Sequence, residues 1–339
     1  MKPLRKSHEI YPVLIITGAT ATGKTEFSVS LARELQKRGL LPHVISADSG
    51  QVYREMDIGT AKVPKSIRKE IPHHLIDVIN PDQRFSAFMF VKEASRIIKE
   101  GYRNHRENFV PMIVGGTAFY IEALLKGLVE GGNPDEEIRK ELEEIDQNEL
   151  YAKLKKEDPD YASKISPKDR KRTIRAMEYI LKTGKKYSEA LKERKPPITL
   201  APFMIITELP GTRLKHSIGK RAEAMLQKGW IEETSRIMEK YGTDCPGLNQ
   251  VGYQQIKEFL SEQTPRSKTF EYKTEFKPEG MISLRRKIIT ATWHVARRQI
   301  TFLKRFGEFQ PIRIDPGEKE VTSIIAEKFL SFRTPFQPL

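Results

Sequence analysis

VLIITGATATGKT, running from Val13 to Thr25, decides the fold. Val13 to Ile16 is a short apolar run that predicts a fully buried strand. It leads straight into Gly18, Ala19, Thr20, Ala21, Thr22, Gly23, Lys24 and Thr25, which satisfy the pattern G-x-x-x-x-G-K-[ST]. From Glu26 to Lys37, the residues Phe27, Val29, Leu31, Ala32 and Leu35 recur as on an amphipathic helix. Strand, glycine turn and helix come in the order that a phosphate-binding loop requires. Its glycines let backbone N–H groups turn onto phosphate oxygens, and the helix N-terminus adds the positive end of its dipole. Lys24 is placed to reach the terminal phosphates and Thr25 to ligate Mg²⁺. The motif says that a diphosphate or triphosphate group binds here and leaves the reaction open.

Working outward, three more apolar runs punctuate the chain. Leu41 to Ala47 predicts a second strand, ending on Asp48, Ser49, Gly50 and Gln51. Val110 to Val114 predicts a third, closed by Gly115, Gly116 and Thr117 before a helix from Ala118 to Leu125. Phe203 to Thr207 predicts a fourth. Alternation of such strands with helices reads as an α/β fold: a nucleotide-kinase-like, P-loop NTPase-like core with a parallel sheet. Ligands of such sheets lie beyond the carboxyl ends of the strands, so Asp48 falls near the phosphates. There it could contact a metal through water, act as a general base, or simply cap a helix. Thr117 caps a helix or touches the ligand, and the two roles are compatible. His73 and His74 are a poor metal pair, because neighbours on an extended chain point to opposite faces.

From about residue 131 to residue 200 glycine almost disappears and helical periodicity takes over, with helices expected at 135–145, 148–157, 167–183 and 188–194. This divides the chain into a first core segment (1–130), a helical insertion domain (131–200), and a core continuation with basic C-terminal helices (201–339). Lys164, Lys168, Arg170, Lys171, Arg172 and Arg175 stand against one acidic residue, Asp169, and suggest a phosphate-contacting surface or a solvated helix face. Arg213 and Arg221 lie on one helix after the fourth strand, and guanidinium forks suit diphosphate oxygens. Asn249 to Gln254 is a polar, glycine-containing turn. The stretch 261–280 is polar and reads as a loop or insertion. Residues 281–305 then read as one long helix with an apolar seam, seven basic residues and no acidic one.

The 339 residues carry a formal net charge of +14, which points to a polyanionic partner. One cysteine, Cys245, excludes an internal disulfide or a multi-cysteine metal site. No apolar stretch approaches the ~18 residues that span a membrane, so the expected location is cytoplasmic, with no membrane partner.

Several longer stretches resemble the tRNA dimethylallyltransferases, also called tRNA isopentenyltransferases. They are ISADSGQVYREMDIGTAK (Ile45 to Lys62), IPHHLID (Ile71 to Asp77), VGGTAFY (Val114 to Tyr120), QVGYQQ (Gln250 to Gln255) and ARRQITFLKR (Ala296 to Arg305). Without a Cys/His zinc finger, the likeness is to the bacterial type. The resemblance implies transfer of a dimethylallyl group from dimethylallyl diphosphate to N6 of adenine 37, in the anticodon stem-loop of tRNAs reading codons that begin with U. It implies Mg²⁺ and a monomer. Asp48 is then the base, with Thr20 and Arg221 as further catalytic groups; Gly18 to Thr25 and Arg213 bind the diphosphate. Asp48, Ser49, Gly50, Gln51, Thr117, Arg139, Lys171, Arg172, Thr173, Ile174, Arg175, Asn249, Gln250, Val251, Gly252, Tyr253 and Gln254 fall on tRNA-contacting stretches. Ser217 departs from the pattern, standing where an arginine is common, and loosens the arginine cluster that the family implies. The residues by themselves also admit an adenylate isopentenyltransferase, a P-loop nucleotide kinase or a non-catalytic RNA-binding protein.

Overall fold

The structure is a computed structural model, and it describes residues 9–131, 135–263 and 277–336. Two compact units emerge: the first 121 residues together with Ile198 onward, and Glu122–Pro197.

The first unit is built on a six-stranded, wholly parallel sheet of order β3-β2-β4-β1-β5-β6. In chain order the elements are β1 (Ile10–Gly18), α1 (Lys24–Lys37), β2 (Leu41–Ser46), α2 (Lys65–Glu70), β3 (His73–His74), α3 (Ala87–His105), β4 (Phe109–Val114) and α4 (Ala118–Lys126), whose residues from Glu122 on belong to the second unit. The unit continues after the insertion. β1 is central, and Val13, Leu14, Ile15 and Ile16 are all fully buried, so the run is continuous rather than alternating. The fourth strand, β5, starts earlier than its apolar run, because its partner β1 pairs with it from Ile10↔Thr199 through Gly18↔Thr207.

Five helices of the second unit follow: α5 (Glu136–Glu144), α6 (Gln147–Glu157), α7 (Pro159–Ala162), α8 (Arg170–Thr183) and α9 (Tyr187–Glu193). They close on Leu142, Leu150, Leu154, Ile165 and Met177. This unit begins at Glu122 rather than at 131, since Glu122 pairs with Arg194 at 3.5 Å and Gly127 lies against the Lys195 carbonyl. α8 starts at Arg170 rather than at Pro167, because the Asp169 carboxylate caps it by accepting from the Arg172 N–H at 3.2 Å.

The core then resumes with β5 (Thr199–Thr207), α10 (Gly211–Gln227), α11 (Trp230–Tyr241), α12 (Tyr253–Gln263), α13 (Pro278–Leu303), β6 (Ile312–Ile314) and α14 (Val321–Arg333). α12 and α13 shorten the polar 261–280 stretch from both ends; its part from 264 to 276 lies outside the described residues. One apolar core joins α1 and α14 to the sheet through Leu31, Leu35, Ile325 and Phe329. A second gathers Met56, Trp230, Ile237, Tyr253, Ile256 and Ile288. His74 stacks on His43 at the sheet edge, with Nδ1 of His43 and Nε2 of His74 3.1 Å apart. Burial brings the His43 imidazole down to about 4. Among the described residues no group of three His, Cys, Asp or Glu could hold a metal ion, and no helix is long and apolar enough to cross a membrane.

Candidate active site

The phosphate loop takes its shape from positions where a side chain would not fit. Gly18 has φ +156°, and a Cβ there would stand 2.3 Å from Thr207 Oγ1 and 2.5 Å from the Thr207 carbonyl oxygen. Gly23, at φ +83°, is the N-cap of α1 and brings no side-chain cap, which leaves the helix dipole facing the loop. Ala21 also sits in the left-handed region, at φ +63°, an unfavourable place for a residue with a Cβ. Ser217 Oγ donates to the Ala21 carbonyl at 2.7 Å and pins that conformation. Thr22 Oγ1 donates to the Ala19 carbonyl at 2.8 Å, and the Thr20 N–H donates to Gln299 Oε1 at 2.8 Å. Gly18, Ala19 and Thr22 therefore build the loop, whereas Thr20, Ala21, Gly23, Lys24 and Thr25 line a cavity of about 170 Å³.

The rest of that lining comes from the ends of β2 and β4, as the sheet topology requires. Asp48, Ser49, Gly50 and Gln51 follow β2; Gly116 and Thr117 follow β4. Arg221 of α10, Gln250 and Val251, and Val295 and Gln299 of α13 complete it, with Glu26 and the Gly59–Ala61 turn. No helix follows Asp48, so it caps none: its Oδ1 accepts the Gly50 N–H at 2.8 Å and the Gln51 N–H at 3.3 Å, closing a tight turn. Thr117 Oγ1 accepts the Ser49 N–H at 3.0 Å, and Gln250 Nε2 donates to the Ser49 carbonyl at 3.4 Å.

Two cations and two carboxylates set the electrostatics. Burial, and then the charge of Arg221, lower the Lys24 ammonium to about 7, against the pull of Asp48 and Glu26. Lys24 Nζ donates to the Ala19 carbonyl at 2.5 Å. Burial likewise lowers Arg221 from its ordinary range, opposed by Asp48 and Glu26. Two desolvated positive groups beside a glycine loop make a strong anion site. Next to it opens a smaller pocket that shares Thr20, Gly59, Arg221 and Val251, and whose walls are otherwise Ile218, Ala222, Met225, Trp230, Ile288 and Thr292. A charged cavity thus adjoins an apolar one.

The structure does not bring every sequence candidate to this cavity. Arg213 is absent from the lining; it is exposed in the first turn of α10 and ion-paired with Asp315. Eight positions at about 100° each leave it roughly 80° round the helix from Arg221. Gln51 reaches the cavity, but its side chain is engaged: Oε1 accepts from Ser46 Oγ at 2.9 Å, and Nε2 donates to the Thr60 carbonyl at 3.3 Å. Asn249 and Gln254 are exposed. Tyr253 is fully buried and donates to the Glu233 carboxylate at 2.5 Å, and Gly252 packs on Trp230, so both hold the loop from behind.

In the helical unit, Arg139 and Arg175 grip the buried Glu178 carboxylate: Arg139 at 3.1 Å through both Nε and Nη2, Arg175 at 3.0 Å. Arg170 donates to the Glu143 and Ile145 carbonyls at 2.6 and 2.9 Å and closes the end of α5. Thr173 is fully buried, and Ile174 packs against the helical core. Lys171 and Arg172 remain on the exposed face, the latter 3.4 Å from Asp169. Of the six basic residues of this segment, Arg170 and Arg175 are engaged within the unit, whereas Lys164, Lys168, Lys171 and Arg172 are exposed.

Two residues escape sequence reasoning. Gln299 lies in the ARRQ stretch yet belongs to neither the apolar seam nor the basic set of its helix. Glu233 reads as an ordinary surface acid of an amphipathic helix. It is in fact 3% exposed, and its carboxylate accepts the N–H groups of Asp57, Ile58 and Gly59 at 2.8, 2.8 and 3.2 Å. It thereby fixes the turn that carries Gly59, Thr60 and Ala61 into the cavity wall.

The chain is similar to known proteins. A family model described as IPP transferase matches residues 51–306, and one described as isopentenyl transferase matches residues 11–71. A tRNA dimethylallyltransferase of Thermotoga petrophila is 37% identical over 326 residues, covering 94% of this chain and 99% of its own. The crystal structure of a full-length tRNA isopentenylpyrophosphate transferase from Bacillus halodurans is similar at a TM-score of 0.65 and 29% identity, over 96% of this chain and 99% of that one. A eukaryotic dimethylallyltransferase acting on tRNA shares the fold at a TM-score of 0.75 and 24% identity, over 97% of this chain and 81% of that one.

Proposed function

This chain belongs to the IPP transferase family and is a prenyltransferase of the tRNA dimethylallyltransferase type; from that premise we propose that it transfers a dimethylallyl group from dimethylallyl diphosphate to N6 of adenine 37, in tRNAs that read codons beginning with U. The observation that carries the reading is the joining of two unlike pockets at Thr20 and Arg221: a cavity that offers the glycine loop, Lys24 and Arg221 to a diphosphate, and a recess walled mostly by apolar side chains for a short branched chain.

In this reading the donor diphosphate lies in the loop, against Lys24, Arg221 and the uncapped N-terminus of α1. As the bond between C1 and the bridging oxygen breaks, the electron pair leaves with the diphosphate, and these positive groups stabilise it. N6 of the adenine forms the new bond to C1. It is a weak nucleophile, its lone pair being shared with the ring, and it must lose a proton. Asp48, in the same cavity, accepts that proton. An adenine stacked in an anticodon loop cannot enter such a cavity, so it is flipped out of the stack. The exposed arginines Arg297 and Arg298 of α13 suit the phosphate backbone, which positions the RNA without reading its sequence.

Mg²⁺ belongs to the proposal, and the donor set fits it. The cavity offers the Thr25 hydroxyl, with Asp48 and Glu26, all oxygen ligands, and too few for a cage made by protein alone. Thr25 would hold the ion, which would neutralise diphosphate charge. A tRNA acceptor places the work in the cytoplasm, and the chemistry needs one copy of the chain.

The test is incubation with Mg²⁺, labelled dimethylallyl diphosphate, and a tRNA transcript, the same transcript with guanine at position 37, or AMP. Label in the first alone is the expected result. Label in AMP overturns the acceptor, label in the guanine transcript overturns the position, and no transfer overturns the reaction.

A further inference from the structure

We infer that Gln299 is a positioning residue of the transfer, a brace that holds the phosphate loop and the loop of the base at a fixed separation; this rests on the reaction proposed above. Those two loops follow β1 and β2, which are not neighbours, since β4 lies between them. Sheet hydrogen bonding does not tie them directly. Gln299, on α13, does so through its side chain.

Its Oε1 accepts the Thr20 N–H at 2.8 Å, and its Nε2 donates to the Gly116 carbonyl at 2.9 Å. The connection continues from there. The Thr117 N–H donates to the Ala47 carbonyl at 3.0 Å, and Thr117 Oγ1 accepts the Ser49 N–H at 3.0 Å. Asp48 stands between those two anchored residues. A run of hydrogen bonds therefore leads from Thr20, beside the leaving group, to the backbone on both sides of the base.

Two details say that the brace is built for its place. A Cβ on Gly116 would come within 2.6 Å of Gln299 Nε2, so the bridge depends on glycine there. A carboxamide accepts and donates at once without carrying charge. A carboxylate would lose the bond to Gly116 and set a negative charge beside the incoming diphosphate. The Thr20 N–H, already engaged, also fixes the loop residue that borders both the charged cavity and the apolar recess.

The experiment compares the unsubstituted chain with Gln299→Met and Gln299→Glu in single-turnover transfer, tRNA binding and thermal unfolding. Losing two neutral hydrogen bonds predicts a fall in transfer rate of roughly 10- to 100-fold for Gln299→Met. The loss should fall on the single-turnover rate at saturating donor more than on the donor concentration that gives half that rate, with the tRNA Kd within about twofold, since Gln299 is off the exposed arginine face. Gln299→Glu supplies a readout that a merely structural role would not move. Protonated, its carboxyl again donates and accepts, so its deficit relative to the unsubstituted chain should shrink as the pH falls from about 8 toward 5. Equal rates for Gln299→Met and the unsubstituted chain overturn this inference alone. So does a Gln299→Glu deficit that stays constant with pH, including where Gln299→Met proves unstable. No transfer by the unsubstituted chain overturns it together with the reaction.

Discussion

Asp48→Asn separates the base from the turn that it closes. In the structure Asp48 Oδ1 accepts two backbone N–H groups, from Gly50 and Gln51. An asparagine carbonyl accepts the same pair and favours the same turn, so folding should change by no more than about 1 kcal/mol. The proton acceptor, by contrast, is lost. Removing a general base costs about 10²- to 10⁴-fold, or roughly 3–5 kcal/mol of barrier. One complication comes from the cavity itself: the Asp48 charge also raises the Lys24 pKa, which stands at about 7. Without it Lys24 would lose its proton more easily, and donor binding would weaken for a second reason. The assay is therefore single-turnover transfer with saturating donor, which keeps the donor bound in both proteins and so separates the chemical step from donor affinity. The tRNA Kd and the melting temperature serve as controls, and both should hold. A transfer rate within tenfold of the unsubstituted chain would refute the role of Asp48 as base.

Three further predictions concern neighbouring groups. Deprotonation of Lys24 removes a positive charge, so kcat/KM for the donor should fall about tenfold per pH unit above about 7, and a pH–rate profile that stays flat to about 9 contradicts this. Met225 forms part of the wall of the apolar recess, and Met225→Ala should raise the rate with geranyl diphosphate relative to dimethylallyl diphosphate by at least about tenfold. An unchanged donor ratio in competition would place the hydrocarbon elsewhere. Glu233→Gln should destabilise the fold by at least about 2 kcal/mol in denaturant unfolding, because all four groups around that carboxylate are donors and an amide offers them a single oxygen; an unchanged midpoint would show that the turn does not depend on the charge.

Ser217 shows how a departure from a family pattern acquires a meaning in the fold. By sequence it loosens an arginine cluster. In the structure it bonds the Ala21 carbonyl and supports the one non-glycine residue of the phosphate loop at positive φ. Arg213 shows the reverse. Its type and spacing suited a diphosphate, yet helical rotation and Asp315 turn it away from the cavity. Arg139 and Arg175, expected on tRNA-contacting stretches, also pair with a buried carboxylate, Glu178, which no spacing along the chain announces.

What the sequence determined by itself was local. A buried strand, a glycine turn and a helix in immediate succession leave one conformation for residues 13–37, since steric limits on φ and the helical period act over a few residues. The ends of β2 and β4 followed from the same reasoning, and with them the positions of Asp48 and Thr117. Tertiary structure decided which side chains face the cavity and which hold it up. Thr20 and Gln299 are 279 positions apart, Ala21 and Ser217 are 196, and Asp57 and Glu233 are 176. No periodicity records such pairs. They exist because the sheet places β1 between β4 and β5 and lays α10, α11 and α13 beside the loops, so hydrogen-bond partners and burial are settled by packing between elements that are remote along the chain.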